Sequence, residues 1–177
     1  VEKLHHSFVG SEKLRTHMHC LFRYGCMYNV CNSNLLFHAS MPLNPDGTLK
    51  EVTILGKQYK GKALLDKVGH LIRIAYFSEE NTEKARFARD YIWYLWCGKN
   101  SPAFDKSKMA TFERYFLIDK ETHKEIKGHY YALRNEEAVC DMILDEFGVE
   151  GEHRHIINGH VPVKAMSGEK PIKANGK

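Results

Sequence analysis

His155-Ile156-Ile157-Asn158-Gly159-His160-Val161-Pro162 is the stretch that decides the fold. The run His155-Ile156-Ile157 reads as a strand, Gly159 offers the backbone a sharp turn, and Pro162 fixes the exit direction, which predicts an imidazole, His160, at a strand tip. A second stretch has the same shape. Asn34-Leu35-Leu36-Phe37-His38 is a short apolar run ending in a polar residue; the small Ala39 and Ser40 follow, and then the turn chemistry of residues 41–47. Both runs are expected to be strands that carry a histidine at the carboxyl end.

Two such imidazoles suit metal-assisted phosphate chemistry. A binuclear hydrolytic site needs neutral imidazoles and carboxylates on rigid supports, so that two cations roughly 3.5–4 Å apart act on one phosphorus. His38 and His160 are the candidate metal ligands. The bland reading of a histidine at a strand end is a hydrogen-bonded structural residue, and two imidazoles supply only half of one metal site. The signatures Asp-x-His, Gly-Asp-x-x-Asp and Gly-Asn-His are absent from the sequence.

Between these strands the pattern is mostly helical. Ser11 reads as the N-cap of a helix carrying Leu14, Met18, Leu21 and Phe22, and residues 52–59 read as a hairpin. Leu64, Leu65, Val68, Leu71, Ile72, Ala75 and Tyr76 share one helical face. Ala85, Ala88, Tyr91, Ile92, Leu95 and Trp96 share another, with Gly98 expected as a left-handed C-terminal stop. Residues 106–128 mix aromatics and charges without a period and predict no element. Ala138, Val139, Met142, Ile143 and Phe147 give a third helix, closed by Gly148. The fold class is α/β: one partial domain over residues 1–177, with a helical insertion over about 60–150 and no internal repeat.

Composition narrows the function. With 177 residues, 43% hydrophobic and 27% charged, the chain is globular rather than disordered or fibrous. Its 26 basic and 22 acidic residues are interleaved, and a net charge of +4 is weak for a nucleic-acid binder; acidic residues also break up the aromatic and basic run over 112–131. No nucleic acid is expected as partner. The apolar run 71–77 is interrupted by Arg73 and falls far short of the roughly 20 residues of a bilayer span, so no membrane partner is expected. Val1-Glu2-Lys3-Leu4-His5-His6 lacks a signal layout and reads as the start of an excised piece. Five cysteines without a repeated spacing suggest reduced thiols and a cytoplasmic setting. His17, His19 and Cys20 with Cys26 and Cys31 invite a zinc reading, but helical residues two apart diverge and the spacing fits no familiar knuckle. His155 is a candidate brace for His160 through an imidazole hydrogen bond. For phosphate recognition Arg114 is the first candidate, because a guanidinium grips phosphate oxygens with two parallel bonds; Lys120 and Lys124 follow, against the alternative that all three are solvated.

Several longer strings carry a resemblance: Leu35-Leu36-Phe37-His38 with Met41-Pro42-Leu43, Tyr94-Leu95-Trp96-Cys97-Gly98 leading to Asn100-Ser101-Pro102, the stretches 108–116 and 119–125, and 155–164 with 171–177. Together they resemble the bacterial class III, Firmicutes-type fructose-1,6-bisphosphatases, themselves similar to the calcineurin-like metallophosphoesterases. The resemblance implies a four-layer αββα sandwich with a helical insertion and two divalent cations, usually Mn2+. It also implies hydrolysis of the 1-phosphate of fructose 1,6-bisphosphate to fructose 6-phosphate and phosphate by metal-activated water, in gluconeogenesis. By that resemblance His38 takes the histidine position of a His-Gly-Gly signature and His160 that of a Gly-His signature, both on the second metal. Ala39 and Ser40 depart from the favoured glycines, and Pro162 resembles the Gly-His-Thr-Pro branch. The first metal's ligands and the catalytic residues are expected upstream of this chain, which reads as a fragment that is inactive alone. The expected partner is a small sugar bisphosphate, and exposed strand edges allow a homo-oligomer. The alternatives are a phosphoesterase acting on a phosphoprotein or nucleotide, and a noncatalytic module that binds a phosphorylated ligand or mediates assembly.

Overall fold

The computed structural model of the chain describes residues 1–177. Two helices open it, α1 (Glu2–Val9) and α2 (Glu12–Tyr24), and the Ser11 hydroxyl caps α2 by accepting from the Leu14 N–H at 3.3 Å. Strands β1 (Tyr28–Cys31) and β2 (Asn34–Phe37) then pair antiparallel through a two-residue turn. In that turn both Asn32 and Ser33 have positive φ, the conformation that matches the twist of a tight hairpin. A second hairpin, β3 (Val52–Ile54) and β4 (Lys57–Tyr59), forms over the residues where the sequence predicts one.

Five helices follow before the last strand. They are α3 (Gly61–Phe77), α4 (Glu83–Cys97), α5 (Thr111–Phe116), α6 (Tyr130–Leu133) and α7 (Glu137–Glu146). β5 (His155–Asn158) completes a three-stranded sheet of order β1-β2-β5, in which β2 and β5 run parallel. The chain is thus mixed α/β, with helices around two small sheets.

There are two cores. Leu35, Phe37, Met41, Tyr130, Ile143 and Leu144 pack where α6 and α7 cover one face of the three-stranded sheet. Val52, Ile54, Leu64, Val68, Leu71 and Ala88 pack where α3 meets α4 and the second hairpin. The predicted α3 face is the buried one, with Leu64, Leu65, Val68 and Leu71 at 0–1% exposure. On α4 the small Ala85 and Ala88 face α3, and Thr82 caps the first turn through the Ala85 N–H. Trp96 departs from its predicted place. It is 45% exposed and joins Trp93, Phe112 and Phe116 in an aromatic group on the outer side, while the α3 contact is filled by alanines.

Gly98 also departs from expectation. Its φ of −90° is not left-handed, and the positive φ lies at Asn100. Glycine stands there because Tyr94 folds over it, its hydroxyl donating to the Lys99 carbonyl at 2.7 Å; a Cβ would lie 2.3 Å from the Tyr94 ring. Residues 106–128, which have no period, prove to be polar-braced: α5, a 3-10 turn at Lys120–His123, and an antiparallel bridge between Lys106 and Lys127. Glu125 accepts from the Ala110 N–H at 2.9 Å and pairs with Lys106, which substitutes for an apolar seam. All five cysteines are free thiols, and no helix is long and apolar enough to cross a membrane.

Candidate metal centre

The parallel pairing of β2 with β5 is what builds the site. Its register runs from Asn34 opposite His155 to Phe37 opposite Asn158, so the next residues of both strands, His38 and Gly159, emerge side by side. Their contact continues the ladder, with the Gly159 N–H donating to the His38 carbonyl at 2.9 Å. The Asn158 amide and the Tyr131 hydroxyl both donate to the Ala39 carbonyl, at 2.7 and 3.2 Å, and pin the chain just beyond His38. Carboxyl ends of parallel strands are where α/β sheets bind ligands.

The sharp turn is made by His160 itself, with φ at +65°, while Gly159 has no positive φ. That corrects the sequence reading of Gly159 as the turning residue. A left-handed non-glycine residue costs on the order of 1–3 kcal/mol, and such strain gathers at functional sites. Here the turn swings the imidazole back toward β2. His38 and His160, 122 positions apart in sequence, have ring centroids 5.1 Å apart and nearly perpendicular planes, with His160 Nδ1 3.2 Å from His38 Nε2. Desolvation, then the neighbouring His38, then the Lys106 charge hold the His160 imidazole below its ordinary pKa, which favours the neutral form that a ligand needs.

The pair fits a shared cation. Imidazole–metal bonds of about 2.1 Å, meeting at angles between square and tetrahedral, set two nitrogens roughly 3.0–3.4 Å apart, and the 3.2 Å observed lies within that interval. The same distance also permits an imidazole–imidazole hydrogen bond. No third His, Cys, Asp or Glu joins them in a cluster, so these residues offer two donors.

His155 does not brace His160. It sits at the other end of β5, opposite Asn34, and its Nδ1 lies 2.5 Å from the Gly176 carbonyl, tying the last residues to the strand. His19 packs edge-on against Phe77 at 5.3 Å instead of gathering with cysteines.

The three candidate phosphate ligands are engaged elsewhere or face solvent. Arg114 donates to the His123 carbonyl at 3.0 Å and lies 3.8 Å from Glu125, with its side chain 54% exposed. Lys124 pairs with Glu121 at 2.6 Å, and Lys120 is exposed on the 3-10 turn. None of the three hydrogen-bonds to the histidine pair. Through Glu125, however, Arg114 is linked to Lys106, whose charge reaches His160.

Beside the histidines lies a feature that sequence reading misses. Loops 40–50, 99–107 and 126–129 enclose a cleft of about 190 Å3 whose walls include Lys50, Lys99, Lys106, Lys127 and His129. Its lysines come from distant segments brought together by two isolated bridges, Leu43 with Leu49 and Lys106 with Lys127. The turn chemistry of residues 41–47 and the flanking Pro102 and Gly128 hint at loops there, but not at a shared cleft.

Comparison with known proteins gives a consistent family. A class 3 fructose-1,6-bisphosphatase of Phocaeicola vulgatus is 76% identical over all 177 residues, and one of Bacteroides fragilis is 67% identical. A more distant one, from Clostridium botulinum, is 56% identical. The chain is covered completely in each case but spans only 26–27% of the length of these relatives. No solved structure matches. A family profile described as Firmicute fructose-1,6-bisphosphatase matches residues 1–177, and the chain belongs to that family.

Proposed function

We propose that these residues form one side of a metal-dependent phosphatase centre that releases the 1-phosphate of fructose 1,6-bisphosphate, with the remaining metal ligands and the catalytic residues supplied by protein outside them. The observation that carries this is the convergence of His38 and His160 at the paired ends of β2 and β5. The relatives' shared name and the two-donor count support the division of the site between this chain and the rest of a longer protein. Manganese is the proposed cation. When bound, such a cation supplies Lewis-acid charge at the phosphoryl group and lowers the pKa of a water.

This chain's own residues hold and aim. His38 and His160 present ring nitrogens, while Asn158 and Tyr131 fix the Ala39 carbonyl so that the turn after β2 keeps its direction. A supporting layer of this kind typically changes metal affinity or activity by about 10–100-fold when removed. Arg114, Lys120 and Lys124 stay as proposed contacts to substrate phosphate, with Arg114 the one linked through Glu125 toward the site. The four-layer sandwich is likewise a proposal. It is supported by the open face of the three-stranded sheet, where Ile157 is 51% exposed beside its partner Leu36 as a second sheet would require. A cytoplasmic setting is proposed from the five free thiols, and assembly into homo-oligomers from the open edges of the sheet.

The test uses the full-length parent with His38→Ala and His160→Ala. Each variant is expected to lose most bound manganese by elemental analysis and to release phosphate at least about 100-fold more slowly. Unchanged turnover in both would remove the assignment. A panel containing a phosphoprotein and nucleotides tests the competing substrate classes.

A further inference from the structure

The cleft beside the histidines holds an excess of positive charge that no protein group neutralises. Lys106 is paired with Glu125 at 2.7 Å, but Lys50, Lys99 and Lys127 form no ion pair. The one carboxylate in the walls, Asp105, is turned to the backbone, accepting from the Tyr131 N–H at 3.1 Å, and burial raises its pKa. The Ser101 hydroxyl donates to the Leu95 carbonyl, and the Ser107 oxygen accepts from the Ile126 N–H. The uncommitted groups of the walls are therefore mostly donors: the ammonium groups of Lys50, Lys99 and Lys127, with the Asn100 amide and the His129 imidazole. Lys99 and Lys127 are exposed and Lys50 is half-buried, so solvent screens their mutual repulsion, while a recess lined by one sign of charge raises the local concentration of anions.

Size and position identify the anion. A volume of about 190 Å3 is several times a water's share of roughly 30 Å3 and suits a compact polyanionic group rather than a polymer. The cleft also adjoins the metal centre. Ser40 in its wall is two residues beyond His38, a reach of about 7 Å at most along the chain, and its N–H donates to the Pro102 carbonyl at 3.2 Å, which ties that turn to the loop carrying Lys99 and Lys106. A small molecule with a phosphate at each end can thus place one end at the histidines and the other among the lysines.

We propose that this cleft receives the phosphate of the sugar bisphosphate that is not hydrolysed, with Lys50, Lys99 and Lys127 as its counter-charges; the proposal rests on the phosphatase reading above. It gives the reaction a specificity device, since a monophosphate leaves the lysines unanswered.

The experiment compares the full-length parent with Lys50→Gln, Lys99→Gln and Lys127→Gln, with Lys57→Gln on the exposed β4 hairpin as a control of equal charge change. Losing a charged contact is worth about tenfold in affinity or more. The expected result is an approximately tenfold rise in KM for fructose 1,6-bisphosphate in at least two of the three variants, with a far smaller change in kcat. The control is expected not to move, Lys→Arg at the same position to recover much of the loss, and the effect to shrink below about twofold on fructose 1-phosphate. An unchanged KM overturns the proposal, and so does an equal loss on both substrates, which marks a structural role. Unchanged KM with altered inhibition by inorganic phosphate assigns the cleft to free phosphate and overturns it as well. Calorimetric titration of the bisphosphate separates the two readings: a parent that binds it and weakens about tenfold in the lysine variants, yet releases no phosphate, removes the catalytic reading and keeps the cleft.

Discussion

Glu125 is the residue on which the polar-braced segment depends. It receives Lys106 at 2.7 Å and the Ala110 N–H at 2.9 Å, with Arg114 at 3.8 Å, and its side chain is only 15% exposed. Burial opposes its charge, but the Lys106 and Ala110 hydrogen bonds and the Lys106 and Arg114 charges outweigh that and hold its pKa below the ordinary value. A depressed folded-state pKa contributes stability that is present above the unfolded-state value, about 4.3 for a glutamate, and is lost as pH falls through the folded one. Glu125→Gln is therefore expected to destabilise the protein by about 2 kcal/mol at neutral pH, with the gap to the parent closing below pH of about 4 in urea denaturation. Gly128→Ala acts on the same loop by contact. Its Cβ would meet the Asp105 carboxylate at 1.9 Å, and urea denaturation should show a loss of about 1–3 kcal/mol. At this scale the two histidines were legible in the sequence because strand tips are punctuated locally, by Phe37 before His38 and by Gly159 and Pro162 around His160. Lys50, Lys99 and Lys127 were not, because nothing local in a charged loop residue tells that the fold will gather it with others around one cleft.

Helices whose stability comes from an apolar stripe are the elements that sequence periodicity reads well, and α3 is the clearest case. Leu71 is 0% exposed in the core shared with α4, so Leu71→Ala is expected to cost about 2–5 kcal/mol, checked by the shift of the urea midpoint at constant slope. Thr82→Ala should cost less, about 1 kcal/mol, because it removes a single cap contact to Ala85. The stripe on α4 was legible only on its alanine side. Trp96 has the spacing of a core residue, but the aromatic group it forms with Trp93 and Phe112 lies on the outer surface, and spacing alone does not tell which of two apolar faces is covered. Residues 106–128 were illegible for a different reason. Their structure comes from Asp119 capping a 3-10 turn, from Glu125, and from His123 lying within 3.0 Å of the Glu113 and Leu117 carbonyls, and such contacts leave no hydrophobic period.

Across the whole molecule, the decisive contact is also the most distant in sequence. β2 and β5 meet over more than a hundred intervening residues, and the helices between them form the long crossover that parallel neighbours require. The outcome is a sheet covered on one face by α6 and α7 and open on the other, with both histidines at its carboxyl end. Two nitrogens 3.2 Å apart can hold one edge of a cation's coordination shell, but a cation that takes four or more donors must fill the rest with water or with other protein groups. The 177-residue chain on its own is therefore expected to give up manganese on desalting after equilibrium dialysis. It is also expected to release phosphate from fructose 1,6-bisphosphate at least about 100-fold more slowly than the full-length parent, which should keep its metal. Stoichiometric manganese retained by the chain alone, and lost in His160→Ala, would mean that the convergence of β2 and β5 builds a complete cation site, and the division of the centre between two parts of a longer protein would have to be abandoned.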